Sequence, residues 1–348
     1  MSQLEKNNFG MQHTICILPK VHGIGGMVSF LEKFSKGARE LGVNVTNDLS
    51  VSNIDAVLVI GGTRDIFRLQ GTKKRGIRIV QRLDGINWIH RIRPISLQHT
   101  LKAEYGNWNL SIIRRYIADR IIYQSGFSNW WWDNRFGKVQ KTASIIYNGV
   151  DLDVYSPAAV DRSEPSVYRL LVVEGSLGGG YENGLENAVR LAEGLAARGW
   201  PIEVQVVGEV SSLLKNEWTQ KSKVPILWRG LVKRQEIPAI AGEAHLLFSA
   251  DIHPACPNSV IESLACGLPV TAYDTGSLSE LVNNETGFIG SYGSDSWKLE
   301  KPDPGSLVTG AEAVLKDWKK FHLAARKRAE LLFGLDNMVK KYLEVLLG

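Results

Sequence analysis

The chain has 348 residues, of which 44% are hydrophobic and 22% are charged, and its formal net charge is +5. These values are typical of a globular protein of two domains, each large enough to bury its own core. No apolar run reaches the roughly 18 residues that span a bilayer, and residues 1–12 lack the apolar core of a secretion signal. Three cysteines, an odd number without metal-site spacing, argue against a disulfide framework and a zinc site, and they favour a reducing, cytoplasmic location.

The first half of the chain alternates short apolar runs with segments of helical spacing. Residues 14–18 form the first predicted strand, and a glycine loop then leads into a predicted helix over residues 27–41. Four further apolar runs follow, at residues 56–60, 77–80, 121–123 and 144–147. Such alternation predicts a parallel sheet in a doubly wound α/β domain.

The second half repeats this pattern after residues 151–165, where Pro, Asp and Ser accumulate and indicate a domain boundary. We predict a first domain at residues 1–156, a second at 157–333, and a final amphipathic helix within 334–348. Two such arrays predict two Rossmann-like domains facing each other across a cleft, with ligands at the carboxyl ends of strands. The predicted strands of the second domain are residues 168–173, 203–207, 226–228, 246–249 and 270–273, with a helix at 185–197 after the first of them.

Two strand ends in the first half are candidate sites. Gly25 and Gly26 close a Gly-x-Gly-Gly loop, in which glycine lets a phosphate or a sugar approach the backbone at the start of a helix. The loop differs from the dinucleotide fingerprint, and a tight structural turn is the alternative. Asp84 follows Arg82 at the end of the third apolar run, where a site residue would lie; its alternative role is to cap the next turn.

Tryptophans and basic residues also mark the first half. Trp130–Trp132 cannot all face one side of a helix, so we expect at least one to be exposed. Packing against a neighbouring element is the favoured interpretation, and contact with a membrane or a sugar is the alternative. The clusters at residues 73–75 and 114–115 would suit an anionic membrane surface or a phosphorylated acceptor. No nucleic-acid-binding motif accompanies them, so nucleic acid is not an expected partner.

The glycine-rich residues 175–184 follow the first strand of the second domain. Gly175, Ser176 and their neighbours could wrap a diphosphate through backbone amides. The segment contains no Lys or Arg to serve as a cationic clamp, and a flexible surface loop is the alternative interpretation.

Residues 258–272 contain the strongest site pattern. A short helix is predicted, with Asn258 or Ser259 as its cap and Gly267 at its end. Glu262 lies one turn inside this helix among apolar residues, where its carboxylate could accept two ribose hydroxyls. His253, beside the rigid loop that precedes the helix, is either a ligand-binding residue or a polar residue at a strand end.

The order of these segments resembles the retaining glycosyltransferases of family 4, also called group 1, which have the GT-B fold. The resemblance extends over nearly the whole chain, and the order of the segments is more specific than any one motif. The C-terminal helix of the chain is similar to the helix that crosses back to the N-terminal domain in that family. The segments that carry it are residues 23–26, 145–151, 155–157, 206–208, 228–232, 258–270, 275–276, 280–282 and 286–288.

The resemblance implies transfer of a sugar, with retention, from a UDP- or GDP-type nucleotide-diphosphate sugar to a glycan, a lipid-linked molecule or a small molecule. It implies no cofactor and no metal, and it places the donor in the C-terminal half and the acceptor in the N-terminal half. Glu262 matches the second glutamate of the family's Glu-x7-Glu motif, which holds the ribose, and Asp84 and Glu262 are the candidate catalytic residues. The implied donor-binding residues are Gly25, Gly26, Gly175, Ser176, Gly208, Arg229, Gly230, Ala255, Asn258, Ser259, Val260 and Glu262.

Three positions depart from the family pattern. Pro254 stands where the first glutamate of the motif would be. The Arg and Lys that usually grip the diphosphate are absent, and Ser176 and Asn183 occupy that region. The N-terminal histidine has no clean match, with Asp84 as the nearest candidate and His90 as a weaker one. These departures keep open a non-catalytic GT-B protein that binds a nucleotide or a glycan within an assembly, whereas an epimerase or a phosphorylase is disfavoured.

Overall fold

The computed structural model of the protein describes residues 13–21, 23, 25–93, 96–157, 165–178 and 182–348. It forms two compact units: unit 1 comprises residues 1–149 and 335–348, and unit 2 comprises residues 150–334. Parts of three predicted segments lie outside the described residues. These parts are residues 22 and 24 at the glycine loop, residues 158–164 of the boundary, and residues 179–181 of the glycine-rich segment.

Unit 1 contains a six-stranded sheet in the order β2-β1-β3-β4-β5-β6, with parallel pairing throughout. Every residue of the central strand β3 is buried, as expected for a strand that helices cover on both faces. The strands are β1 (Thr14–Leu18), β2 (Asn44–Thr46), β3 (Ala56–Ile60), β4 (Arg78–Leu83), β5 (Arg120–Tyr123) and β6 (Thr142–Ile145).

Helices cover both faces of this sheet because strand side chains alternate between the two faces. One face packs against α1 (Gly26–Glu40) and α12 (Leu335–Leu347). The opposite face packs against α2 (Ile66–Lys74) and against Ile113–Ile117, a π-helical turn that continues α3 (Leu97–Ile112). This is the doubly wound arrangement that the alternating pattern predicts.

Unit 2 contains a second parallel six-stranded sheet, in the order β12-β11-β10-β7-β8-β9. Its strands are β7 (Tyr168–Ser176), β8 (Ile202–Glu209), β9 (Ile226–Gly230), β10 (Leu246–Phe248), β11 (Val270–Tyr273) and β12 (Gly287–Gly290). Its helices are α5 (Glu182–Ala197), α6 (Ser212–Lys221), α7 (Ile237–Glu243), α8 (Asn258–Ala265), α9 (Leu278–Leu281), α10 (Pro304–Lys316) and α11 (Trp318–Leu332). The predicted α/β fold with two Rossmann-like units is therefore confirmed.

Two strands at sheet edges are absent from the sequence prediction. Strand β2 has three residues and none of them is fully buried, and β12 begins and ends in glycine. Neither segment has the sustained apolar run by which a buried strand is recognised, so pairing with β1 and β11 defines them.

Three consecutive tryptophans lie in α4 (Gly126–Phe136), the helix after β5. Trp131 and Trp132 are buried, whereas Trp130 is 52% exposed, so the expectation of at least one exposed tryptophan is confirmed. Trp132 donates its indole N–H to the backbone carbonyl of Asp84 at 2.8 Å. The triplet is therefore mainly a packing element that also anchors the loop after β4.

The three cysteines of the chain all lie in described segments, where each is buried and none forms a disulfide bond. Among the described helices, none combines the length and the apolar character that crossing a membrane requires.

The C-terminal helix α12 is an integral part of the core of unit 1. Tyr342 lies against Phe30 of α1, with ring centroids 5.0 Å apart. A Cβ added at Gly37 would lie 2.7 Å from Val339, so the glycine allows the two helices to approach closely. The final helix thus supplies one side of the hydrophobic core whose other side is the sheet.

We predict that Leu343→Ala destabilises unit 1 by about 2–5 kcal/mol, because it removes a fully buried side chain and leaves a cavity. Calorimetric unfolding of the full chain would measure the shift. The neighbouring exposed Glu344→Ala is the control and should change the midpoint little. Equal midpoints for both variants would contradict the role given to α12.

Candidate functional site

Helix α8 of unit 2 begins directly after Pro257, which occupies the N-cap position. The prediction that Asn258 or Ser259 caps the helix is wrong, since these are its first two helical residues. Pro257 has an extended backbone that ends the preceding loop, and its side chain has no hydrogen-bond acceptor. The first N–H groups of α8, those of Asn258, Ser259 and Val260, therefore have no side-chain cap and can donate to an anion. The predicted end at Gly267 is confirmed, with the C-cap at Cys266.

Glu262 is buried within α8, one turn from this helix start, and is 8% exposed. Its carboxylate lies near two other titratable side chains. Burial, and after it the Glu262 charge, raises the pKa of the Tyr155 hydroxyl and raises the pKa of the Cys266 thiol to about 12. A carboxylate held this far from bulk water is a strong acceptor for hydroxyl groups that reach it.

The loop before α8 is held by packing. Ser277 donates its backbone N–H to the Pro254 carbonyl at 2.9 Å, and a Cβ at Gly276 would lie 2.5 Å from the Pro254 nitrogen. His253 is buried and stacks on Trp297 with ring centroids 3.6 Å apart. Burial lowers the pKa of His253 to about 4, so the ring is neutral at pH 7. Pro254, where the resemblance implies a glutamate, is thus a backbone-packing position in this chain.

Strands β7 and β8 approach each other closely at their carboxyl ends. Gly208 has a φ of +139°, and a Cβ there would collide with the carbonyl oxygen of Glu174. The pairing is irregular between Val173 and Ser176, which lets the end of β7 bend away. Gly208, predicted to bind the donor, is therefore required for strand packing, and Gly175 and Ser176 are exposed beside it.

The sequence analysis did not identify two acidic residues near the carboxyl ends of the strands in this sheet. Glu174 lies near the end of β7, and Asp251 lies three residues beyond β10, the neighbouring strand. Burial raises the pKa of both carboxyl groups, and the Asp251 charge raises that of Glu174 further. Glu174 directly follows the four apolar residues 170–173 of β7, which is the one signal by which it could have been found. A carboxyl group thus lies directly before the segment in which the resemblance implies basic residues.

The remaining predicted donor residues of unit 2 are Arg229, Gly230 and Ala255. Arg229 donates from Nη2 to the Glu243 carboxylate at 3.0 Å, so its side chain is engaged within unit 2. Gly230 ends β9, and Ala255 lies half-buried in the loop before α8. The described part of the chain contains no group of three or more His, Cys, Asp or Glu side chains arranged to hold a metal ion.

In unit 1, Asp84 follows β4 directly. Its backbone carbonyl accepts hydrogen bonds from the Ser128 hydroxyl and the Trp132 indole, each at 2.8 Å. Burial raises the pKa of its carboxyl group, and Arg82 opposes that rise. His90, the weaker candidate, contacts the Glu104 carboxylate instead, with its Nε2 at 2.8 Å. Asp84 therefore lies in an anchored loop at a strand end.

We predict that Glu174→Gln changes how stability depends on pH. A carboxyl group with a raised pKa in the folded state contributes stability that is fully present below its ordinary pKa of 4.5 and is lost as pH rises through the raised value. The variant should therefore unfold like the parent near pH 4.5 and at a higher temperature than the parent near pH 9.

Thermal unfolding across this pH range would measure the effect, with Glu209→Gln as the control at the exposed end of the neighbouring strand. The control should leave the pH dependence of the parent unchanged. A Glu174→Gln variant that is no more stable than the parent at pH 9 would contradict the assignment.

Comparison with known proteins relates this arrangement to a family. Residues 169–317, which lie in unit 2, match the family model described as glycosyl transferases group 1. No curated protein sequence matches the chain.

Solved structures match both units. Sucrose-phosphate synthase from Thermosynechococcus elongatus is 14% identical, with a TM-score of 0.72 over 96% of this chain and 98% of that one. A glycosyltransferase from Rickettsia africae is 16% identical, with a TM-score of 0.68 over 96% and 98%. Anabaena HepE, in complex with UDP and glucose, is 16% identical, with a TM-score of 0.69 over 96% and 99%. At these identities the likeness is one of fold. The chain thus has the GT-B fold seen in these structures, and its similarity to the glycosyl transferases group 1 family model extends over residues 169–317.

Proposed function

We propose that the protein is a retaining glycosyltransferase that moves a sugar from a nucleotide-diphosphate sugar to a glycan, a lipid-linked molecule or a small molecule, without a metal. The observation that carries the proposal is α8, in which an uncapped helix start is followed one turn later by the buried carboxylate of Glu262. Both lie in the segment that matches the family. A diphosphate and a ribose are the two chemical groups that such a pair recognises.

Each residue then has a defined task in the proposed reaction. The N–H groups at Asn258, Ser259 and Val260 bind the diphosphate and stabilise the charge that develops on it as the sugar leaves. Glu262 accepts hydrogen bonds from the ribose. The released phosphate oxygen takes the proton of the acceptor hydroxyl, whose oxygen attacks the same face of the sugar, so configuration is retained. Asp84 is proposed as a further catalytic residue, and the protein contributes mainly positioning and electrostatics.

The proposed donor is a UDP sugar, with a GDP sugar as the second choice. Anabaena HepE, which shares the fold, has been crystallised with UDP and with UDP-glucose. Three buried cysteines, none of them in a disulfide bond, fit a reducing compartment, so we propose that the reaction takes place in the cytoplasm.

A non-catalytic protein that binds a nucleotide is the second candidate. Residues 175–184 favour it, because they contain no Lys or Arg where the resemblance implies cations that would stabilise a leaving diphosphate, and the carboxyl group of Glu174 directly precedes them. Turnover of a panel of UDP and GDP sugars separates the two candidates, since both bind nucleotide and only the enzyme releases or transfers the sugar.

We predict that UDP stabilises the parent protein by about 2.7 kcal/mol at 100 times its dissociation constant. Glu262→Ala should weaken UDP binding about 10-fold to 100-fold, since hydrogen bonds to a charged group contribute about 1.5–3 kcal/mol. Calorimetric titration would measure both affinities, and the exposed Glu285→Ala is the control.

The nucleotide 2′-deoxy-UDP sharpens this test. It should bind the parent more weakly than UDP does, and Glu262→Ala should remove most of that difference. If Glu262→Ala binds UDP as the parent does and no donor is hydrolysed or transferred, the proposed function fails.

We further propose that α3 in unit 1 contacts an anionic membrane surface. Leu97, Leu101, Tyr105 and Trp108 are exposed at helical spacing, with Leu97 75% and Trp108 55% accessible. Phe67 of α2, which packs on the same face of the sheet, is 87% exposed. Aliphatic and aromatic side chains on one helix face are typical of a surface that lies in the interfacial layer of a bilayer.

The charge around this face, defined here as residues 63–119, favours an anionic membrane over a protein partner. These residues contain twelve Lys and Arg against four Asp and Glu, a net charge of +8, although the whole chain carries only +5. The acidic residue within α3, Glu104, is bound by Arg91 and His90. Each exposed cation near a charged membrane contributes about 1 kcal/mol.

We predict that the protein sediments with vesicles containing phosphatidylglycerol and does so weakly with neutral phosphatidylcholine vesicles. The double variant Leu101→Ser, Trp108→Ser should lower the bound fraction several-fold, because it removes the apolar contact. Leu213→Ser with Leu323→Ser is the matched control, since these leucines of unit 2 are also exposed. Equal sedimentation of all three proteins, or a dimer that the double variant abolishes, would contradict the membrane contact.

A further inference from the structure

Helix α3 packs onto unit 1 through polar side chains. The structure describes all sixteen residues of this helix, and only Asn107 and Asn109 among them are buried. Large apolar side chains of α3, such as Leu101 and Trp108, are exposed instead. A helix on a hydrophobic core usually turns an apolar stripe inward, so two buried amides at this position need a specific explanation.

Asn107 is hydrogen-bonded at two points to the main chain of a single residue. Its Oδ1 accepts the backbone N–H of Asn87 at 3.0 Å, and its Nδ2 donates to the backbone carbonyl of Asn87 at 2.8 Å. An amide side chain can accept and donate at the same time, which a methyl or a carboxylate cannot do. The two bonds therefore fix both the position and the orientation of the main chain at Asn87.

Asn87 belongs to the loop that carries Asp84. Residues 84–88 follow β4 directly and form neither helix nor strand, so side chains rather than a backbone ladder hold them in place. At the other end of the loop, the Asp84 carbonyl accepts hydrogen bonds from Ser128 and Trp132 of α4. The loop is thus attached to α4 at Asp84 and to α3 at Asn87.

The second buried amide of α3 holds a different loop. Asn109 donates from Nδ2 to the backbone carbonyl of Thr63 at 3.0 Å, just after β3, the neighbour of β4 in the sheet. A Cβ at Gly62 would collide with the Asn109 side-chain oxygen, so glycine allows the helix to lie close to this loop. Each amide therefore anchors one loop, and the effects of the two amides can be measured separately.

We propose that Asn107 is a positioning residue that holds the Asp84 carboxyl group in place for sugar transfer, and that it acts through Asn87. Asp84 lies three residues before Asn87 in an irregular loop, so movement of the main chain at Asn87 displaces Asp84 as well. A displacement of about 1 Å at a reacting group lowers the rate about 100-fold. The catalytic role of Asp84 rests on the proposed function, whereas the attachment of its loop to α3 does not.

Hydrogen–deuterium exchange of the full chain tests the attachment. Asn107→Ala should speed exchange of the peptide that spans residues 84–88 by about 10-fold or more, because the Asn87 N–H loses its acceptor. Asn109→Ala is the matched control: it removes the other buried amide of α3 and should leave exchange at residues 84–88 as in the parent. Asn107→Asp keeps an oxygen that can accept the Asn87 N–H, and it should recover part of the protection.

Turnover of UDP-glucose tests the effect on the reaction. Asn107→Ala should lower kcat by about 10-fold or more and leave KM for UDP-glucose within about twofold, because the donor is bound in unit 2. A loss of folded protein would lower the apparent kcat of both alanine variants, so the kcat of Asn109→Ala reports that contribution. Asn107→Asp should lie between Asn107→Ala and the parent.

The proposal is overturned if Asn107→Ala exchanges at residues 84–88 as the parent does, or if Asn109→Ala speeds that exchange equally. It is also overturned if exchange rises in Asn107→Ala while kcat stays at the parent value. A parent that turns over no UDP or GDP sugar rejects the proposed function and, with it, the catalytic role of Asp84. The exchange rates of the two alanine variants then still decide whether Asn107 holds the loop.

Discussion

Parallel pairing of the strands is the constraint on which the rest of the structure depends. Each described pair of neighbouring strands, in both sheets, runs parallel. Parallel strands must be joined by crossover helices, so both faces of each sheet are covered and the polar loops emerge at its ends. Glu174, Gly208, Asp251 and the start of α8 therefore meet at one edge of unit 2, although the chain separates them by dozens of residues. In unit 1 the same constraint places Asp84 at a strand end.

Electrostatics differ between the two edges. In unit 2, burial favours the protonated forms of the Glu174 and Asp251 carboxyl groups. The backbone N–H groups at the start of α8 supply positive potential there. In unit 1, a permanent cation, Arg82, is buried between the Asn148 side-chain oxygen and the Phe30 ring.

The strand pattern was predictable because a buried parallel strand is a continuous apolar run. Residues 14–18, 56–60 and 270–273 match β1, β3 and β11 without change. The edge strands β2 and β12 were not predictable, since an edge needs little burial and its few residues have no distinctive pattern. The helix cap after Pro257 was predicted wrongly, because both Asn258 and Ser259 are good capping residues and only the backbone of Pro257 decides where the helix begins.

The sequence by itself determined the α/β fold and the position of Glu262 one turn into a helix, and it has Pro254 where the resemblance implies a glutamate. These properties depend on residues close together along the chain, where spacing is enough to define a face or a turn. Only the tertiary structure decided that Glu174 lies near Asp251, that Gly208 is required by the carbonyl of Glu174, and that Arg82 is buried against Asn148 and Phe30. Burial and charge pairing depend on neighbours that are distant in the chain, so no local pattern in the sequence indicates these contacts.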